Sequence, residues 1–146
     1  MSHFLIEKTR IDGLQIIQRQ PTGDARGYFE RLFCIDDLKP LIFHRNIVQI
    51  NHSLTRKTGT VRGMHYQLPP HAEMKLITCL RGKIFDVAID LRKDSPTFLQ
   101  WQSEILSEEN QRTFCIPEGF AHGFQTLTEN CELVYFHTAA YAPHAE

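Results

Sequence analysis

Two polar runs stand inside otherwise strand-like sequence. One is Arg62-Gly63-Met64-His65-Tyr66-Gln67, with Lys75 ten residues beyond the histidine; the other is Ile116-Pro117-Glu118-Gly119-Phe120-Ala121-His122-Gly123-Phe124. A single histidine in such a setting is most simply a satisfied core residue. Two histidines, a lysine and an arginine among apolar strands demand more, because buried charge needs a partner or a ligand. Side chains alternate along a strand, so His65 shares its face with Gly63 and Gln67 and is expected to project into a cavity, the glycines leaving room for a ligand. Metal ligation is one chemistry to weigh. Iron or zinc prefers imidazoles and a carboxylate, and the residue two after His65 is the amide Gln67. With an amide there, no metal is expected.

The elements that must position these residues read as strands. Runs rich in Ile, Val, Phe or Thr cover 14–19, 28–34, 47–54, 75–80, 83–91, 97–106, 112–116 and 132–137. Turn chemistry separates them, as at Pro21-Thr22-Gly23-Asp24, Arg81-Gly82, Asp94-Ser95-Pro96 and Pro117-Glu118-Gly119. Helical signal is confined to 35–43 and one turn at Ser107-Glu108-Glu109-Asn110, which Ser107 can cap. No alternating βαβ pattern, repeat or linker occurs. The expected architecture is all-β, a single jelly-roll barrel or sandwich over residues 1–146. Lys83-Ile84-Phe85-Asp86-Val87-Ala88-Ile89-Asp90 is almost continuously apolar, which suggests that its second face is covered by a subunit partner in a homodimer.

Composition narrows the function. The 146 residues are 42% hydrophobic, and Lys plus Arg number 16 against 17 Asp plus Glu, so no excess of positive charge points to nucleic acid. The first residues lack the apolar run of a signal peptide, and no stretch reaches the length of a membrane span, so a cytoplasmic protein with no membrane partner is expected. Cys34, Cys79, Cys115 and Cys131 are scattered, without a C-x-x-C pair, and are expected to be free thiols, mostly buried.

The Pro-x-Gly-x-x-His spacing is the second signature of the cupin barrels. From about Leu14 onward the chain resembles one cupin-like group, the dTDP-4-dehydrorhamnose 3,5-epimerase family. The matching words include Asp24-x-Arg26-Gly27-x-Phe29, Gln49-x-Asn51-x-Ser53, Arg62-Gly63-x-His65, Pro69-Pro70, Lys75-Leu76, Phe85-Asp86-Val87, Asp90-Leu91-Arg92, Pro117-Glu118-Gly119-x-Ala121-His122-Gly123-Phe124 and Tyr135.

The resemblance implies an isomerase that needs no cofactor and acts on 4-keto-6-deoxy sugars carried by a nucleoside diphosphate. His65 would be the base, Tyr135 the acid, and Lys75 the cation beside the enolate oxygen. Arg62 and Arg26 match diphosphate positions, Phe29, Gln49 and Asn51 nucleotide positions, and His122 and Tyr141 the sugar site. Two departures stand out. Arg31 occupies a position where rhamnose-pathway members commonly carry a carboxylate, so a different base contact is expected. In the family an aspartate beyond a Tyr-x-Pro segment partners the histidine; here Tyr141-Ala142-Pro143 is followed by Glu146, so a slower enzyme is expected, or one whose Glu73 or Asp86 substitutes. Competing readings are a weakly active nucleotide-sugar binder and a metal-dependent cupin oxygenase or isomerase. Arg92 and Lys93 read as a solvated turn outside the site.

Overall fold

The computed structural model describes residues 2–146. In chain order its strands are β1 (Phe4–Lys8), β2 (Gln15–Arg19), β3 (Thr22–Asp24), β4 (Gly27–Phe29), β5 (Gln49–Thr55), β6 (Val61–His65), β7 (Lys75–Arg81), β8 (Lys83–Asp90), β9 (Trp101–Ser107), β10 (Arg112–Ile116), β11 (Phe120–Thr126) and β12 (Cys131–His137). The helix α1 (Ile35–Ile42) lies between β4 and β5, and a 3-10 turn (Pro143–Ala145) follows β12. A six-stranded sheet runs β1-β2-β10-β7-β12-β5, a four-stranded sheet runs β6-β11-β8-β9, and β3-β4 form a separate hairpin. The two larger sheets pack face to face as a cupin-like jelly roll.

Alternation creates the core. Ile16, Ile77, Phe114 and Leu133 from the larger sheet meet Ile84, Ala88, Leu106, Phe120 and Phe124 from the smaller one. The larger sheet's outer face is also apolar, and α1 covers it with Leu38, Leu41 and Ile42 against Ile17, Leu76, Cys115 and Phe136. Asp36 and Asp37 in the helix's first turn and Lys39 in its last complement its dipole.

Several elements differ from the sequence reading. The run at 28–34 stops being a strand after Phe29, because Leu32, Phe33 and Cys34 instead pack against the α1 layer. The run at 97–106 begins its strand only at Trp101: Ser95 and Thr97 turn inward to donate hydrogen bonds to Asp90 at 2.5 and 2.7 Å. Arg92 is no solvated turn residue, since it donates to the same carboxylate at 2.9 Å and lies 4.8 Å over the Phe120 ring. Ser107 does cap its turn, its Oγ accepting from the Asn110 N–H at 3.0 Å.

Four strands, β1, β3, β6 and β11, have no counterpart among the expected runs, and β3 falls where Pro21-Thr22-Gly23-Asp24 reads as a turn. Glycine hides the last two. A Cβ on Gly63, whose φ is +103°, would stand 2.6 Å from the His122 carbonyl oxygen, and one on Gly123 would stand 2.6 Å from the Met64 sulfur. These glycines therefore bring the β6 and β11 backbones together instead of leaving room for a ligand.

Candidate active site

Register across the larger sheet sets one wall of the site. Lys75, His137 and Gln49 stand directly opposite one another on β7, β12 and β5. Two residues further along, on the same face, come Ile77, Tyr135 and Asn51, then Cys79, Leu133 and Ser53. The wall thus grades from polar at the Lys75 end to apolar inside the barrel. The smaller sheet supplies the facing wall, through Arg62 and His65 on β6. Between the walls lies a cavity of about 400 Å³ lined by Gln49, Asn51, Ser53, Arg62, His65, Gln67, Glu73, Lys75, Tyr135, His137 and Tyr141, among others.

Each titratable group here has a definable environment. Burial, then the Lys75 charge, then His122 hold the His65 imidazole below its ordinary pKa, so it favours the neutral form that accepts a proton. Burial raises the Tyr135 phenol, which shares a 2.9 Å hydrogen bond with the Ser53 hydroxyl, so it keeps its proton. Lys75 is buried, 4% exposed, with its ammonium 3.3 Å from Glu73. Burial opposes ionisation of Glu73, but the hydrogen bond to His137 at 3.0 Å and the Lys75 charge hold its carboxyl below the usual range. On its far side His137 Nε2 lies 3.3 Å from the Asn51 amide.

His122 stands behind His65 instead of lining the cavity. The two are a cross-strand pair, their rings edge to face with centroids 6.3 Å apart. His122 is 1% exposed, and its Nε2 meets Asp86 Oδ1 at 2.5 Å. Burial pushes the Asp86 carboxyl up, and its Oδ2 has no hydrogen-bond partner. Glu73 and Asp86 are therefore both engaged elsewhere, and among the described residues no side chain hydrogen-bonds the His65 ring. Gln67 is a structural amide. It donates to the His71 carbonyl at 2.8 Å and accepts from the Ala142 N–H at 2.8 Å, which binds the loop after β6 to the segment after β12.

Seven of the residues singled out in the sequence, Gln49, Asn51, Arg62, His65, Lys75, Tyr135 and Tyr141, line this one cavity. Three do not. Arg26 and Phe29 sit on the β3-β4 hairpin, where Arg26 pairs with Asp24 at 2.6 Å and Phe29 is 68% exposed. Arg31 holds Asp37 at the start of α1 at 3.0 Å. Sequence reasoning gave no site role to Ser53 or His137 and weighed Glu73 only as a partner for His65, whereas all three line the cavity. Their signal was the two-residue step along a strand or its lead-in from Asn51, Lys75 and Tyr135.

Comparison with known proteins places this geometry. The family profile described as dTDP-4-dehydrorhamnose 3,5-epimerase matches residues 8–146. The Salmonella typhimurium dTDP-4-dehydrorhamnose 3,5-epimerase is 43% identical over 98% of this chain and 78% of its own length. The Shigella flexneri protein of the same name is 46% identical over 88% of this chain and 71% of its own. Among solved structures, a Legionella pneumophila dTDP-6-deoxy-D-glucose-3,5-epimerase in complex with dTDP-4-keto-L-rhamnose superposes with a TM-score of 0.93 at 42% identity, covering 98% of this chain and 76% of that one.

Proposed function

This chain belongs to the dTDP-4-dehydrorhamnose 3,5-epimerase family, and from that premise we propose how its own residues epimerise a nucleoside-diphosphate 4-keto-6-deoxy sugar. The carrying observation is that His65 and Tyr135 come from opposing sheets onto one cavity, with Lys75 at the polar end of the same wall as Tyr135. Inversion requires a base on one side of the sugar and an acid on the other. The C4 ketone acidifies the neighbouring C–H bonds at C3 and C5. Neutral His65 takes one of these protons, and the electron pair moves onto the ketone oxygen to give an enolate. The Lys75 ammonium, in a partly dry site, stabilises that oxygen. Tyr135 returns its proton to the carbon from the opposite face, and solvent restores both groups.

Arg62 is assigned to the diphosphate, Gln49 and Asn51 to the nucleotide end, and Tyr141 to the sugar. His122 acts on the sugar pocket through His65. Arg26 and Phe29 lie off their own chain's cavity, on a hairpin whose Tyr28 is also 62% exposed. They complete a nucleotide site if a second copy of the chain donates that hairpin. The outer face of the smaller sheet gives such a copy somewhere to pack: Phe85 is paired with Ile105 and Ile89 with Trp101. A homodimer is therefore part of this reading. So is a cytoplasmic location, supported by four free thiols; among the described residues no helix is long and apolar enough to cross a membrane.

The test is incubation with dTDP-4-keto-6-deoxyglucose in deuterated water, following C3 and C5 by NMR. Wild type should exchange and invert. His65→Asn should exchange nothing, and Tyr135→Phe should exchange without inverting. Wild-type exchange in His65→Asn, with its thermal melt unchanged, would remove His65 from the role of base.

A further inference from the structure

Outside the catalytic cavity two imidazoles meet. His71, in the loop between β6 and β7, and His144, in the turn after β12, place their Nε2 atoms 3.2 Å apart. Their ring centroids are 4.8 Å apart and their planes cross at 85°. No step of the epimerisation uses either residue.

The main chain fixes their separation. Leu68 N–H donates to the Ala145 carbonyl at 2.8 Å, and His71 N–H donates to the Leu68 carbonyl at 2.9 Å. The buried Gln67 amide bridges the same two segments through the His71 carbonyl and the Ala142 N–H. Each histidine thus sits one residue or less from a backbone tie.

The two distances test what the pair can hold. Metal–imidazole bonds of roughly 2.0–2.1 Å meeting at about 100° place the two nitrogens about 3.2 Å apart and the ring centroids about 5 Å apart. A single angle therefore satisfies both observed separations. Without an ion, the same contact is a bent N–H···N hydrogen bond when one of the rings carries its proton on Nε2.

We propose that His71 and His144 form a two-histidine site for a divalent transition-metal ion of the zinc or copper type. Among the described residues no cluster of three or more His, Cys, Asp or Glu able to hold a metal exists, so water fills the remaining positions and a chelator removes the ion. Copper binds more tightly than zinc, following the usual order for nitrogen ligands. The ion is not part of the chemistry at Lys75. It staples the segment carrying Tyr141, whose N–H donates to Gln49 at 3.0 Å on the cavity rim, to the loop after β6. Because the folded chain binds it and the unfolded chain has no preformed pair, occupancy raises the melting temperature.

Calorimetric titration of the chelator-stripped full chain with ZnCl₂, and separately with CuCl₂, decides the matter. One saturable equivalent is expected, tighter for copper. His71→Gln and His144→Gln should each weaken it about tenfold or more, which corresponds to about 1.4 kcal/mol, and His65→Asn should leave it unchanged. NMR of the unsubstituted chain supplies a readout that no misfolded variant can confuse: the His71 and His144 ring signals should shift first as zinc is added. Absence of saturable binding, binding that survives either Gln substitution, binding lost in His65→Asn, or first shifts at other histidines overturns the proposal. Because the readout is metal binding rather than turnover, failure here leaves the epimerase reading standing, and the reverse holds too.

Discussion

At the scale of single residues, the cavity holds its base neutral and its acid protonated by different means. His65 is lowered by burial, then by the Lys75 charge and the neighbouring His122, whereas burial first of all raises Tyr135 against its Ser53 hydrogen bond. The sign gives a prediction. A lowered pKa means the imidazole stays neutral, and able to accept a proton, further into acid. An NMR titration of the His65 ring should show a midpoint below 6.5, and Lys75→Met should move it upward by removing the neighbouring cation. A wild-type midpoint at or above 6.5 would contradict the assigned environment. The chemistry-bearing residues were largely legible, because His65, Lys75 and Tyr135 sit in distinctive words. What these residues bond to was not. The sequence permits Glu73 or Asp86 to serve His65, and only packing shows Glu73 committed to His137 and Lys75 and Asp86 to His122. Arg31 is similar: its charge suggests a ligand contact, but the nearby first turn of α1 offers Asp37.

At the scale of elements, the strands with β-branched and aromatic runs were readable, and those broken by glycine were not. β6 and β11 carry Gly63 and Gly123 at the place where their backbones nearly touch, so propensity argues against strand exactly where tertiary packing requires it. Gly63→Ala meets both a positive φ and the His122 carbonyl, and Gly123→Ala meets the Met64 side chain and the Arg62 carbonyl at 2.8 Å. Urea melts should show Gly63→Ala destabilised by more than about 2 kcal/mol, with Gly123→Ala less affected because a flexible thioether can move part of the way. Equal stability of Gly63→Ala and wild type would mean that β6 has room to retreat from β11. The β8 pattern also differs in an instructive way. It reads as continuous apolar sequence, yet it buries Ile84, Asp86, Ala88 and Asp90 on one side and turns Phe85, Val87 and Ile89 outward. Two buried aspartates broke the hydropathy alternation while obeying the geometric one.

At the scale of the whole molecule, the separation of Arg26 and Phe29 from the cavity predicts complementation between chains. Arg26→Ala and His65→Asn should each be inactive as homodimers. Co-expressed, they should recover about a quarter of wild-type activity, because half the dimers are mixed and each mixed dimer has one site with both residues intact. No recovery would mean that each hairpin serves its own chain or no site at all. The sheet order carries another consequence, for the order of synthesis. Among the described residues β5 pairs only with β12, and β6 only with β11, so strands bearing Gln49, Asn51, Arg62 and His65 find no partner until residues 120–137 have left the ribosome. A long stretch of polypeptide emerges while these strands wait, with unpaired edges and apolar side chains that a chaperone can grasp. Nascent chains stalled before β11 emerges should therefore be chaperone-bound and unable to retain nucleotide, because both walls of the active site form only after that strand is made.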